Sequence, residues 1–339
     1  MRRASYRTVL STIAYLWTGE LWLFGGEYPN RERGHFLVIR YPQVLKHRTT
    51  PQRWSFSERD AILYALCVGF GAESSHEHAL RFLYEKNLRV VPSFPTVLAW
   101  IADPTFEALG VDPDEALHGE QKIELHRVVS VPLDVNVQGS VVEVHDKGPD
   151  RGAILVTRHL ITDCADGELV ATLTTTCFAR RSGGCGGSDA EAQKPHAVPC
   201  RTPDHSIDVP TASDLALLYR LTGDRNPLHA DPAAARRAGF ERPILHGLCS
   251  FGMACRAVLA TYADFDPSRI ASHQARFTAP VFPGETLTID LWGDADVISF
   301  EIRVRARGVT VVKNGKTVLR PSKAAVYRGV YSSPPMLTT

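Results

Sequence analysis

The sequence predicts an α+β protein built from two similar halves, each a capped helix followed by a run of antiparallel strands. Three observations predict it. Stretches rich in β-branched residues alternate apolar and polar side chains, as half-buried antiparallel strands do. The order of helix then strands occurs twice, on either side of a Gly- and Ser-rich seam at "RSGGCGGSDAEAQKP". The length of 339 residues suits two domains or one duplicated unit, and 44% hydrophobic residues supply a sizeable core.

Charge and cysteine usage narrow the classes. Lys and Arg total 38 against 37 Asp and Glu, so the chain as a whole attracts neither nucleic acid nor a membrane surface. Seven cysteines without a C-x-x-C pair fit reduced thiols in the cytoplasm, or in a peroxisome or mitochondrion of a eukaryote, better than a disulfide framework. Residues 1–50 differ from the rest, with eight Arg or Lys against three acids. Their apolar patch, "VLSTIAYLWTGELWLFGG", is broken by Glu20 and falls short of a membrane span. A targeting segment, a non-coding upstream extension and an interfacial helix all compete there. The segment reads as a basic, poorly ordered extension without a part in catalysis.

The first half is assigned to residues 51–181. "SERDAILYALCVGFG" offers Ser57 as N-cap with Asp60 three residues on, and closes at Gly69 or Gly71. Strand patterns follow at "EQKIELHR", "VNVQGSVVEVHD", "AILVTRHLITD" and "LVATLTTTCFARR". Residues 182–210 read as a linker. Their glycines resemble a phosphate loop, but no helix follows to complete one.

The second half, 211–330, repeats the order. In "TASDLALLYRLTG" Thr211 is the expected N-cap and Gly223 the terminator. "DPAAARRAGF" opens with Asp231 as cap and Pro232 at the first helical position, and ends at Gly239. "HGLCSFGMACRAVLATYA" places Leu248, Phe251, Cys255, Val258, Leu259 and Tyr262 on one helical face. Strands are expected at "QARFTAPV", "ETLTIDLW", "VISFEIRVRA" and "KTVLRPSKAAVYR".

One stretch aligns the halves in detail. "VPSFPTV" at 91–97 fits the slot of "RPILHGL" at 242–248, with Pro92 over Pro243 and Val97 over Leu248. Pro95 and Thr96 then stand where the second half has His246 and Gly247. The first half also lacks any counterpart of "GDRNPLH" at 223–229. A duplicated unit with one chemically stripped copy accounts for both facts.

"GDRNPLH" carries Asp224, Asn226 and His229 within six positions around Pro227. A surface turn explains such residues, and so does a general-base pair held rigid beside a pocket. The wider context decides. "YRLTGDRNPLHADPAAARRAGFERPILHGL" and "RFTAPVFPGETL" resemble the signature of the MaoC-like, or type 2 (R)-specific, enoyl-CoA hydratases. "FLYEKNLRVVPSFPTVLAW", "HGEQ" and "FARRSGGCGG" resemble the amino-terminal half of the two-domain members. The resemblance covers roughly 53–330.

It implies a double hot-dog fold, two units each wrapping a curved antiparallel sheet around a long central helix. It also implies reversible hydration of trans-2-enoyl-CoA to (R)-3-hydroxyacyl-CoA in fatty-acid or acyl-CoA metabolism. Asp224 and His229 carry over as catalytic, with Asn226 as support and Gly247 as oxyanion donor. The residue chemistry agrees. A neutral imidazole accepts a proton from water near pH 7, and a carboxylate on the same water handles the return. Proline fixes φ and keeps the groups converged. A helix-opening glycine offers an unbonded N–H and lets a ligand approach closely.

Arg236 and Arg237 suit CoA phosphates and equally an exposed helical face. Phe82, Leu83, Phe94, Val97 and Leu98 form an apolar set suited to an acyl tail. His246 reads as structural, helping to close the helix start. His76 and His78 read as surface residues, and no motif implies a metal or other cofactor. The partner is acyl-CoA, with no nucleic acid and no membrane span, and a homodimer is compatible with the fold. A dehydratase of the same fold acting on acyl carrier protein is the main rival, and a non-catalytic acyl-CoA binder the lesser one, since a binder has no need of Asp224, Asn226 and His229.

Overall fold

The computed structural model describes residues 38–73, 76–99, 106–112, 115–188 and 194–321. Six helices occur among them: α1 Glu58–Cys67, α2 Glu77–Leu80, α3 Phe106–Leu109, α4 Leu215–Tyr219, α5 Pro232–Arg237 and α6 Gly247–Tyr262. Ten strands form one sheet: β1 Gln52–Phe56, β2 Ala116–Leu125, β3 Leu133–Asp146, β4 Ala153–Asp163, β5 Leu169–Ala179, β6 His205–Pro210, β7 Ile270–Phe277, β8 Thr286–Asp294, β9 Val297–Val304 and β10 Val309–Leu319. No helix among the described residues is long and apolar enough to cross a membrane.

The spatial order is β1-β3-β4-β5-β2-β7-β10-β9-β8-β6, with neighbouring strands antiparallel throughout. Read inward from each edge, the halves have the same connectivity, β1 matching β6, β2 matching β7, and so on to β5 and β10. The duplication expected from the sequence is therefore a duplication of topology. The halves join where β2 pairs with β7, Glu120 opposite Arg276 and Ile123 opposite His273. Arg276 Nε donates to Glu120 Oε1 at 2.6 Å across that seam.

The architecture is the double hot-dog, with its halves unequal. In the second half α6 runs 16 residues, about 24 Å at 1.5 Å per residue. Every residue from Leu248 to Leu259 is buried, so the helix is enclosed on all sides rather than on one face. His273 fastens it to the sheet: Nε2 meets the Phe251 carbonyl at 3.2 Å, and Nδ1 meets Thr317 Oγ1 at 2.7 Å. Gly252 lets α1 approach, since a Cβ there would stand 2.5 Å from Val68 Cγ1 and 2.7 Å from the Tyr64 hydroxyl. Among the described residues, the first half has the 3-10 turn Phe94–Leu98 and the four-residue α3 in the corresponding region. Pro92 and Pro95 disfavour a regular helix through that turn. One hydrophobic core spans both halves, from Phe56 and Tyr64 to Phe300 and Leu319.

Several expectations need correction. Residues 1–37 lie outside the described residues, but 38–50 are built into the first half. Ile39 and Val44 are buried against Val141, Val144, Leu155 and Leu109, and Thr49 N–H donates to the Gly139 carbonyl at 2.9 Å. The linker is likewise tied down over its described residues, 182–188 and 194–210. Gly184 and Gly186 donate N–H bonds of 2.8 Å to the Asp146 carboxylate, so the glycine loop closes on the protein's own anion. The linker ends in β6, which pairs with β8. Thr211 caps no helix: its hydroxyl donates to the Glu285 carbonyl at 2.7 Å, and α4 starts after Asp214. The last strand starts at Val309, earlier than expected, because Val309 and Thr310 pair with β9. Ser57 and Asp60 form the expected capping box, and Asp231 caps α5.

Candidate active site

Helix α4 gives way to one 3-10 turn that stops at Gly223, whose φ is +140°, a conformation residues with a Cβ rarely adopt. The next six residues fix themselves locally. Asp224 Oδ1 accepts from Asn226 N–H at 3.0 Å, and Asn226 Oδ1 accepts from Leu228 N–H at 3.0 Å. The second bond caps the 3-10 turn Pro227–His229, where proline has no N–H to lose. Arg225, Asn226 and Pro227 are exposed, while Asp224 and His229 turn inward. They are 9% and 8% exposed, more enclosed than a reachable surface loop would leave them.

The hydrogen bonds settle which nitrogen does what. His229 Nδ1 lies 2.8 Å from the Ile244 carbonyl. A carbonyl only accepts, so Nδ1 carries the proton and Nε2 keeps a lone pair. Nε2 stands 3.9 Å from Asp224 Oδ2. That is too long for a direct hydrogen bond and leaves room for one water bonded to both. Burial pushes the His229 pKa below its ordinary value, the Asp224 charge opposing in part. His229 is accordingly neutral near pH 7, as a base must be.

His246 completes the cluster. Its ring stacks on His229, centroids 3.7 Å apart and planes 25° from parallel. Tyr219 of α4 covers it further inward at 4.8 Å. His246 Nε2 donates to the Asp224 carbonyl at 3.2 Å. Burial, with His229 adding to it, pushes the His246 pKa down to about 2. The expected role in closing the helix start is not its role: as N-cap of α6 its side chain makes no capping bond. Sequence reasoning took His246 as structural without its contacts to the loop, and missed Tyr219 and the Ile244 carbonyl. The only available signal was the H-G pair itself, which does not reveal where a ring points.

Gly247 follows as the first residue of α6, so its N–H has no intrahelical acceptor. A Cβ at this position would stand 3.1 Å from two atoms of the Phe277 ring. His118 of β2 lies against that same ring, 5.0 Å between centroids, bringing the first half to within one side chain of the helix start. Asp224, His229, His246 and Gly247 are thus gathered by one loop and one helix terminus, and Asn226 shapes the loop from outside.

The remaining named residues lie elsewhere. Arg236 and Arg237 are exposed on α5. Phe94 is 1% exposed and packs on Phe56 and Tyr64, centroids 4.5 and 5.5 Å away. It is packed in the hydrophobic core. Val97, 4% exposed, turns its carbonyl to Gly223, 3.6 Å from where a Cβ would be. It buttresses the root of the loop. His76 and His78 sit at the surface, His78 3.3 Å from Asp264. A pocket of about 180 Å³ lies apart from this site, at the β2/β7 seam beneath Pro195 and His196.

Asp224, His229 and His246 also offer three ligand atoms within 4.8 Å of one another. They fit a metal poorly. The His246 nitrogen nearest the carboxylate is the one that donates its proton to the Asp224 carbonyl. Stacked rings moreover hold their lone pairs side by side rather than converged on one point, as an ion about 2.1 Å from each would require.

Comparison with known proteins agrees with this layout. The MFE-2 hydratase 2 N-terminal domain family matches residues 54–181, and the MaoC like domain family matches 195–315. The chain is 41% identical to 3-hydroxyacyl-thioester dehydratase Y of Mycobacterium tuberculosis, over 74% of this chain and 87% of that protein. It is 33% identical to the peroxisomal enoyl-CoA hydratase 2 of Arabidopsis thaliana, over 79% and 92%. The crystal structure of a MaoC-like dehydratase from Phytophthora capsici superposes with a TM-score of 0.73 at 30% identity, covering 82% of this chain and 98% of that one.

Proposed function

Because the chain belongs to the MaoC-like dehydratases that carry a hydratase 2 N-terminal domain, we propose that it hydrates trans-2-enoyl-CoA reversibly to (R)-3-hydroxyacyl-CoA. His229 takes a proton from a water held between Nε2 and the Asp224 carboxylate, and the oxygen attacks C3. Charge moves onto the thioester oxygen, where the Gly247 N–H and the α6 dipole receive it. The pair then gives one proton to C2 and returns to its starting state, so one water has been added and nothing else consumed. The observation that carries this reading is the His229 Nδ1 bond to Ile244, which leaves an Nε2 lone pair 3.9 Å from Asp224 Oδ2.

The catalytic groups all come from the second half, and the first half encloses them. Its contribution to the site is the Val97 carbonyl under Gly223 and His118 beside Phe277. Seven free cysteines support a reducing compartment. The test is direct: crotonyl-CoA and a longer trans-2-enoyl-CoA are mixed with purified protein, and loss of the enoyl absorbance is followed without added cofactor. An (R)-3-hydroxyacyl-CoA product is expected. An (S) product, or no loss of absorbance with either substrate, overturns the reading.

A further inference from the structure

His246 is a buried imidazole with no capping duty. A Ser, Thr or Asp at that N-cap would have bonded its own helix, yet this side chain turns away into the Asp224–His229 loop. Nor is it a filler. A phenyl or leucyl group would occupy the same space without a polar atom to satisfy, whereas the ring is 1% exposed and its Nδ1 meets no hydrogen-bond partner among the described residues. What it gains is contact with both ends of the loop at once: Nε2–H on the Asp224 carbonyl at 3.2 Å and a ring face on His229 at 3.7 Å. It also immediately precedes Gly247, so the same residue ties the acid–base pair to the helix start.

We infer that His246 is the positioning residue of this site, its Nε2–H fixing where the Asp224 carboxylate is anchored and its ring fixing the plane of His229. The inference rests on the hydration chemistry proposed above. Its Nε2 is engaged by the Asp224 carbonyl and its ring is 1% exposed, so it acts through Asp224 and His229. The charged and titratable groups around it are Asp224, His229, Tyr219 and Arg220, and burial keeps it neutral, so it holds the base without competing for its proton.

Two substitutions separate the parts of the claim. His246→Phe keeps the ring and removes the donor, whereas His246→Gln keeps an N–H donor and removes the aromatic face. Misplacement of a reacting group by about 1 Å costs on the order of 100-fold. The Phe variant should therefore lose 10- to 100-fold in kcat with KM for a trans-2-enoyl-CoA within about threefold, and the Gln variant should recover at least threefold of that loss. A Phe variant within twofold of wild-type kcat overturns the inference. So does a rise in KM that matches the fall in kcat, or a Gln variant no better than the Phe one.

A second readout does not use turnover. Amide hydrogen exchange in the peptide spanning 224–230 should be about tenfold faster in the Phe variant and close to wild type in the Gln variant. Unchanged exchange in the Phe variant overturns the positioning role. If wild-type protein hydrates no enoyl-CoA, the functional reading falls and the exchange measurement alone decides this one. Should His246→Phe not fold, His246→Met with the same readouts takes its place.

Discussion

The two halves share one strand order and differ in what they build beneath it. In the second, helix α4 leads through Gly223 to Asp224, and α6 opens at His246 and Gly247. In the first, α1 leads to Gly69 and then to Phe70, whose ring is fully buried against Phe82 at 4.4 Å. Where His246 and Gly247 would stand there are Pro95 and Thr96, and the Thr96 hydroxyl donates to the Ser93 carbonyl at 2.7 Å. The first copy has thus closed its own slot with its own side chains. The strand order occurs twice, but the Asp224–His229 loop occurs once. The spare loop region has become packing, with the Val97 carbonyl set under the working loop.

The most direct way to break that comparison is to remove the reactive groups. Asp224→Asn and His229→Gln should each lower kcat by about 1000-fold, in the range for general acid–base groups. The double variant should be little worse, because the two act on one water. Both substitutions nearly conserve size, which matters now that both residues are known to be buried. A single variant keeping a tenth of wild-type kcat would mean that the chemistry does not reside in this loop.

The paired slots give the next test. Gly247→Ala sets a methyl 3.1 Å from the Phe277 ring and shifts the helix start, with an expected loss of about 100-fold in kcat, the scale of an oxyanion donor. Thr96→Ala at the matching position removes one hydrogen bond and a buried methyl. It should cost about 1–2 kcal/mol in denaturant unfolding and leave turnover within twofold. Comparable kinetic losses at both positions would show that the first half is not chemically silent.

Acid should act through the buried histidines of the second half. Burial depresses the pKa of His229, takes that of His246 to about 2 and that of His273 to about 3. Each folded value lies below the unfolded one near 6.5, so below that pH the unfolded chain binds protons that the folded chain refuses. The stability these groups contribute is complete above about pH 6.5 and falls as the pH is lowered, by up to about 1.4 kcal/mol per unit for each histidine. The melting temperature should drop between pH 7 and pH 5, while the acid limb of kcat/KM lies below 6.5. A melting temperature independent of pH over that interval would contradict three buried neutral imidazoles.

What the sequence disclosed was local. The Ser57–Asp60 box, the Asp231 cap, the Gly223 stop and the Asp224–His229 turn all rest on residues within five positions of each other, where side chain and backbone decide the outcome together. The duplicated strand order was legible for the same reason. His246 was not, because the direction of its ring depends on Tyr219 and Asp224, more than twenty residues upstream. Neither was the enclosure of α6 on every side, which follows from α1 crossing it at Gly252. β6 was hidden by its composition: its burial pattern has one buried residue in six, so it reads as linker until β8 is beside it.

The smallest kinetic effect concerns how each half covers its sheet. In the second half, α6 does so alone. The first half has no such helix among its described residues, and the apolar far ends of β3, β4 and β5 at Val141, Val144, Leu155 and Ala179 need another cover. Ile39 and Val44, with Leu109 and Val111, supply it. Burying an aliphatic side chain of that size contributes about 1.5–3 kcal/mol, so a chain beginning at residue 51 should lose several kcal/mol and melt several degrees lower. A chain beginning at residue 38 keeps both side chains and the Thr49 bond to β3, and should match the full chain in melting temperature. The proposed site lies in the other half, so kcat should stay within twofold for both truncations below their melting points. If the chain from 51 melts with the chain from 38, the segment 38–50 covers nothing that matters. If instead it loses turnover while still folded, the small cluster around Ile39 and Val44 is coupled to the site through the core the halves share.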